Sequence, residues 1–330
     1  MKKITLLALI IFTACTNANI EENSETTESG QQIIVREVPL QDNFKGAKVK
    51  KDNIKQGCSA QDCIPAINNP IFESMEQGNT WLDDEDTVFA INYNGIERAY
   101  AQRIMNWHEI VNDKFQDTYV AVTFCPLCGS ALAFEREVNG IITEFGVSGK
   151  LHNSDLIMYD RYEGNLWQQI TGEAIVGPAA RRDETLKQIP IITTNWGRWK
   201  KDHPNTEVLS LDTSYSRDYS RYPYGTYESD GELYFGVENL DETLQIKTEI
   251  YGLEINGESR AYTLEALQRD KIIIDTLGGE NISLTYNDDG SVTLISLAGI
   301  DKSSEFNPPT RLFWFAWASF HPDTTIYKGS

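Results

Sequence analysis

The sequence predicts a β-rich α+β fold of two pseudo-equivalent halves, the first of which carries a long insertion. Three observations predict it. The segment "INYNGIERAYAQRIMNWHEIVND", ending at Asp113, reappears as "LEINGESRAYTLEALQRDKIIID", ending at Asp275, at a constant offset of 162 residues. Apolar and polar residues alternate with period two in "TVFAINYN" and "ISLTYNDDGSVTLIS", the spacing of half-buried strands. Asn94-Gly95 and Asn256-Gly257 stand between such runs, and both central residues of a type I′ hairpin turn need positive φ, which Asn and Gly tolerate.

The elements follow in chain order. Residues 1–14 begin with Lys2 and Lys3, continue through an apolar run to Phe12, and end in Thr13-Ala14 before Cys15. This is the pattern of a lipoprotein export signal, and Cys15 is the expected lipidated residue of the mature chain. The run is too short to span a bilayer, which takes about 20 apolar residues. The expected location is therefore a bacterial cell envelope, lipid-anchored, facing the periplasm or the surface, with the membrane as partner through the lipid alone. Residues 15–50 open with Asn, Glu, Ser, Thr, Gly and Gln and are expected to form a disordered tether. Residues 51–212 form the first half, 213–250 a linker, and 251–330 a second, degenerate half. The whole chain has 330 residues and a formal charge of −20 with no basic run, so nucleic-acid binding is excluded.

Each half reads as strand, Asn-Gly turn, strand through Arg-Ala-Tyr, short helix, hairpin, and a closing WxxWxxxHPxT segment. That segment contains Trp196, Trp199 and His203 in the first half and Trp314, Trp317 and His321 in the second. Features shared by both halves are expected to serve the fold, so His203 and His321 are read as structural. Features in one half are candidates for function. Trp107-His108-Glu109 becomes Arg269-Asp270-Lys271, and the turn Cys125-Pro-Leu-Cys128-Gly becomes Asn287-Asp288-Asp289-Gly290. The hairpin evidently closes without cysteines. The first half alone also carries the insertion Phe145 to Pro178, rich in polar residues that include Ser154, Asp155, Asp160, Arg161, Trp167 and Gln168. Its expected place is as a wall of the cysteine site.

The runs "RAYAQRIMNWHEIVND", "VAVTFCPLCGSALAFEREVNG", "FGVSGKLHNSDLIMYDRYEGNLWQQITGEAIVGP" and "TTNWGRWKKDHPNTEVLS" resemble the DUF3179 family of exported bacterial proteins, over roughly residues 55 to 212. The resemblance implies no activity. Its marks fall on His108, Glu109, Cys125, Cys128, Ser154, Asp155, Asp160, Arg161, Trp167 and Gln168.

A Cys-Pro-x-Cys-Gly turn aims two sulfurs at one point and supplies half of a tetrahedral metal shell. His108, on the helix leading into this hairpin and absent from the second half, is the expected third ligand. Two thiolates and an imidazole suit copper or zinc, with copper favoured, and the role would be metal handling or redox chemistry. Asp160 and Trp167 are expected close around that metal. A non-metal ligand-binding or scaffold module, or a thiol-disulfide exchange protein, is the alternative; exchange cysteines usually sit at a helix N-terminus rather than between strands. Cys58 and Cys63 are expected to form a local disulfide, or one of them completes the metal shell. No nucleophile and base pair, phosphate loop or dinucleotide fingerprint appears, so catalysis is left open.

Overall fold

The computed structural model describes residues 22–297 and 306–329. The export signal at 1–14 and the lipid site Cys15 lie outside the described residues. The fold is β-rich α+β: strands dominate, and the longest helices described are single pieces of seven residues, such as Gln102–His108 and Trp314–Phe320. Short helices of this kind are stable only through the tertiary packing of their apolar faces.

Two sheets share a plan. In one, the hairpin Thr87–Tyr93 and Ile96–Ala101 is flanked by antiparallel Ile192–Asn195 and parallel Glu207–Leu209. In the other, Glu249–Ile255 and Glu258–Thr263 are flanked by antiparallel Thr310–Phe313 and parallel Thr325–Ile326. The same side chains hold both. Arg98 and Tyr100 donate to Asp113 as Arg260 and Tyr262 do to Asp275. Trp199 donates Nε1–H to Thr206 at 2.8 Å and stacks on His203, while Trp317 donates to Thr324 at 2.8 Å and stacks on His321. Both tryptophans are buried, and both histidines serve packing.

A second sheet in the first half contains Ile110–Phe115, Thr118–Cys125, Ser130–Glu135 and Gln188–Ile189. One face joins the hairpin sheet's core through Val111, Val122, Phe124 and Ala133. The other face, with Ile110, Ala121, Leu132 and Phe134, joins a core that includes Phe145, Val147, Met158 and Trp167. Those residues belong to a five-stranded sheet in which Phe145–His152, Asp155–Asp160, Leu166–Gln168 and Ala174–Val176 join Ile54–Gln56. The run Phe145 to Pro178 is thus a sheet buried on both faces, which explains why every residue of Asp155–Asp160 is inaccessible.

The outer face of that sheet corrects one expectation. Much of the segment expected as tether is docked: Gln32–Arg36 pairs in parallel with Ile141–Ile142, and Val38, Leu40, Phe44 and Val49 cover Ile157, Tyr159, Leu166 and Ile175. Backbone bonds from Gln41 to Gly164 and from Lys48 to Ile175 fix it there. An exposed sheet face needed cover, and the apolar residues after Ile33 supply it. The expected linker is corrected too. Tyr219, Tyr224, Tyr227, Phe235 and Glu238, all within 213–250, contact the first half around the cysteine turn. It is a strap with buried aromatic anchors rather than a solvated spacer.

Candidate functional site

Cys125 ends the strand Thr118–Cys125, and the turn closes as Cys128 N–H donates to the Cys125 carbonyl at 3.1 Å. Gly129 follows at φ +62°, and a Cβ there would press on the Phe313 ring at 3.0 Å, so glycine is needed for both conformation and space. The Cys128 carbonyl accepts from Phe313 N–H at 2.9 Å, which ties the turn to the second half. Both thiols are free of disulfide and buried.

Facing the turn is the tip of the hairpin Phe145–His152 and Asp155–Asp160. Its two turn residues, Asn153 and Ser154, have φ of +51° and +62°, the type I′ requirement met without glycine. This conformation presents the Ser154 carbonyl to both sulfurs, at 3.8 Å from Cys125 and 3.5 Å from Cys128. Asp155 comes next. Its Oδ2 accepts from Gln168 Nε2 at 2.6 Å and Ile170 N–H at 3.0 Å, whereas its buried Oδ1 has no hydrogen-bond partner. The two sulfurs and an Asp155 oxygen all lie within 4.8 Å of one another.

Gln168 is itself held. Its Oε1 meets His152 Nδ1 at 2.8 Å, and His152 Nε2 meets Glu238 of the strap at 2.9 Å. Three groups in line therefore orient the Asp155 carboxyl. On the other side Tyr224 donates to Glu109 Oε1 at 2.7 Å. Glu109, Cys58, Leu127, Leu156, Tyr224 and Phe235 are among the residues lining a cavity of about 80 Å³ beside the turn, large enough for several waters.

Desolvation dominates the electrostatics. Burial pushes the Cys125 thiol up and the Cys128 thiol well up. It raises Asp155 to about 6 against the hydrogen bonds from Gln168 and Ile170, and Glu109 to about 7 with Asp155 adding repulsion. Among the described residues no Lys, Arg or His is hydrogen-bonded to either sulfur or to Asp155. Raised thiols make poor exchange nucleophiles.

Several predicted residues take other places. His108 is not with the sulfurs: its Nδ1 meets the Pro65 carbonyl and its Nε2 the Tyr219 hydroxyl, each at 2.7 Å, and burial lowers its basicity. Consecutive helical positions diverge in direction, and it is Glu109, at the left-handed helix end with φ +59°, that lines the cavity. Asp160 is also away from the sulfurs, while Trp167, in the same core as the cysteines, turns its indole N–H to Asp160. Asp160 sits at the far end of its strand from Asp155, about 16 Å at 3.3 Å per residue. There it gathers Tyr162, Glu163 and Gly164 N–H on Oδ1, and Asn165 N–H, Asn165 Nδ2 and Trp167 Nε1 on Oδ2. It builds a turn. Arg161 pairs with Asp62 at 3.0 Å on the outer side of the sheet. Ser154 donates its hydroxyl to the Phe235 carbonyl and so helps seat the strap. Cys58 and Cys63 are bonded to each other, which leaves neither for a metal.

His152 and Glu238 carry no local signature in the sequence, but the docking of the strap that brings Glu238 in is foreshadowed by tyrosines at 215, 219, 222, 224, 227 and 234, unusual for a solvated spacer.

The profile of a family described as "Protein of unknown function (DUF3179)" matches residues 61–324, so the similarity runs through the second half as well as the first. No curated protein and no solved structure matches the chain.

Proposed function

Since the chain belongs to the DUF3179 family, whose description carries no activity, we propose from the site alone that Cys125, Cys128 and Asp155 bind a thiophilic metal ion, copper before zinc. One observation carries the proposal: two thiols and a carboxylate oxygen of Asp155 converge within 4.8 Å in a buried place without a cationic side chain among its hydrogen-bond partners. Three such groups resist ionising together, and a bound cation removes that cost. Asp155 replaces His108 as third ligand in this reading. Copper comes first because three converging donors, two of them thiolate, satisfy copper(I), whereas structural zinc takes four. Bound there, the ion would supply either a stored cargo or a one-electron couple. The protein's own part is orientation: Gln168, backed by His152 and Glu238, would hold the Asp155 carboxyl in place beside the sulfurs, as outer partners commonly do around metals.

We also infer that the two similarly built sheets arose by internal duplication. Chemistry then stayed with the copy that holds the extra sheet. Export and a lipid anchor at Cys15 complete the reading, supported by the leader pattern and by a Cys58–Cys63 disulfide of the kind exported proteins keep.

Elemental analysis of the full chain, purified from the cell envelope without chelator, tests the site. Wild type should carry about one equivalent of copper or zinc. Cys125→Ser, Cys128→Ser and Asp155→Asn should lose it, while His108→Asn should retain it. Metal-free wild type with Cys125 bonded to Cys128 would overturn the proposal.

A further inference from the structure

The second half has a sheet of Ile272–Leu277, Glu280–Tyr286 and Val292–Ser296 that corresponds, under the duplication reading, to Ile110–Phe115 and its neighbours. In the first half neither the outer face nor the edge of this sheet is bare. The extra sheet packs on the face, and Ile67 closes the edge: Ile67 N–H donates to the Ile110 carbonyl at 2.9 Å and Asn112 N–H to the Ile67 carbonyl at 2.8 Å. At the same offset of 162 residues, Ile110 and Asn112 become Ile272 and Ile274. Among the described residues no strand or bridge takes the place of Ile67 there. Ile272 is 59% exposed and Ile274 71%, the latter the highest exposure among the described large apolar side chains, and Ile295 and Leu297 are exposed on the same sheet.

We propose that the stretch 272–274 of the strand Ile272–Leu277 is a dimerisation edge, which adds the same stretch of a second copy in antiparallel register centred on Ile273; further along, the outward groups of Thr276 are already taken by Arg260 and Asp275. Sheet edges with unpaired backbone groups and apolar side chains template such pairing. Hydrogen-bond parity together with the occupied groups of Thr276 selects the register. Lys271 accepts from Tyr286 N–H and so turns its carbonyl inward, which leaves the groups of Ile272 and Ile274 pointing off the edge. Antiparallel pairing about Ile273 sets Ile272 opposite the partner's Ile274, and each such pair exchanges both backbone bonds.

Charge selects a second copy as occupant. That register brings Lys271, at the helix end just before the strand, alongside the stretch of the partner's strand that carries Asp275, twice by symmetry, which adds a cation near a carboxylate that already holds Arg260. The outward side chains around the edge, Ile272, Ile274, Thr276, Thr285, Thr293 and Ile295, carry no charge. In a chain with a formal charge of −20, this is a face where two copies meet without like-charge repulsion. The edge is isologous, as two-fold dimers require.

The test uses the full chain in density-matched detergent, by sedimentation equilibrium and by cross-linking. Wild type should sediment as a dimer with a concentration-dependent unfolding midpoint, and Ile274→Lys as a monomer whose midpoint does not depend on concentration and whose metal content is unchanged. Opposed residues in such a pair stand about 5.5 Å apart at Cα, inside the roughly 4.4–6.8 Å reach of a disulfide. A mixture of Ile272→Cys and Ile274→Cys chains should therefore oxidise to the mixed covalent dimer in preference to either self-dimer. A monomeric wild type, a dimer indifferent to Ile274→Lys, or cross-linking with no preference for the mixture would overturn the proposal.

Discussion

Replacing Asp155 with Asn in metal-free protein isolates the cost of burying the site's carboxylate. Burial raises Asp155 from 3.8 to about 6. That shift of about two units corresponds to roughly 3 kcal/mol at 1.36 kcal/mol per unit. The native state holds this proton more tightly than the unfolded chain. Its contribution to stability is therefore complete below the unfolded value near 4 and is lost as pH rises through about 6. Glu109, raised from 4.5 to about 7, adds a loss of the same sign at slightly higher pH. Urea unfolding with chelator and reductant, near pH 5 and near pH 8, should find metal-free wild type weaker at the higher pH. Asn cannot ionise, so Asp155→Asn should flatten that dependence by roughly 1.4 kcal/mol between those two pH values, the part of the effect that survives at pH 5. Adding one equivalent of metal near pH 8 should restore wild type through preferential binding to the folded state and leave Asp155→Asn unchanged. Parallel pH dependences in the two proteins, without metal, would refute the reasoning.

Asp160→Asn should place an amide among three donors and destabilise the protein by about 3 kcal/mol, with metal stoichiometry unchanged; urea midpoints and elemental analysis check the two halves of that statement. Cys15→Ser should move the protein from the membrane fraction to the soluble one, as read by fractionation and immunoblotting.

The repeated hairpins, the Asn-Gly turns and the Trp-His segments were legible because local patterning specifies them, and Asn94 and Asn256 both stand at positive φ. The cysteine turn was legible for the same reason. Its partners were not. Asp155 was visible as part of the insertion, but its approach to the sulfurs depends on a left-handed Ser154 and on two sheets stacking, neither of which spacing encodes. His108 misled because adjacency in sequence to the hairpin says nothing about which side of a helix end faces it. Residues 33–50 misled in the opposite way: the polar start of the segment outweighed the apolar residues that follow, and only the buried sheet beneath explains their use.

The bond from Phe313 N–H to the Cys128 carbonyl, with the Phe313 ring seated on Gly129, would give a strand far along the chain a share in the proposed metal site. A cysteine turn free to flex would adopt whatever geometry an arriving ion prefers. One clamped from behind by another part of the molecule would dictate geometry to the ion. Selectivity among cations would then be written partly in residues that never approach the metal, and substitutions at Phe313 would retune that preference while every donor atom stays in place.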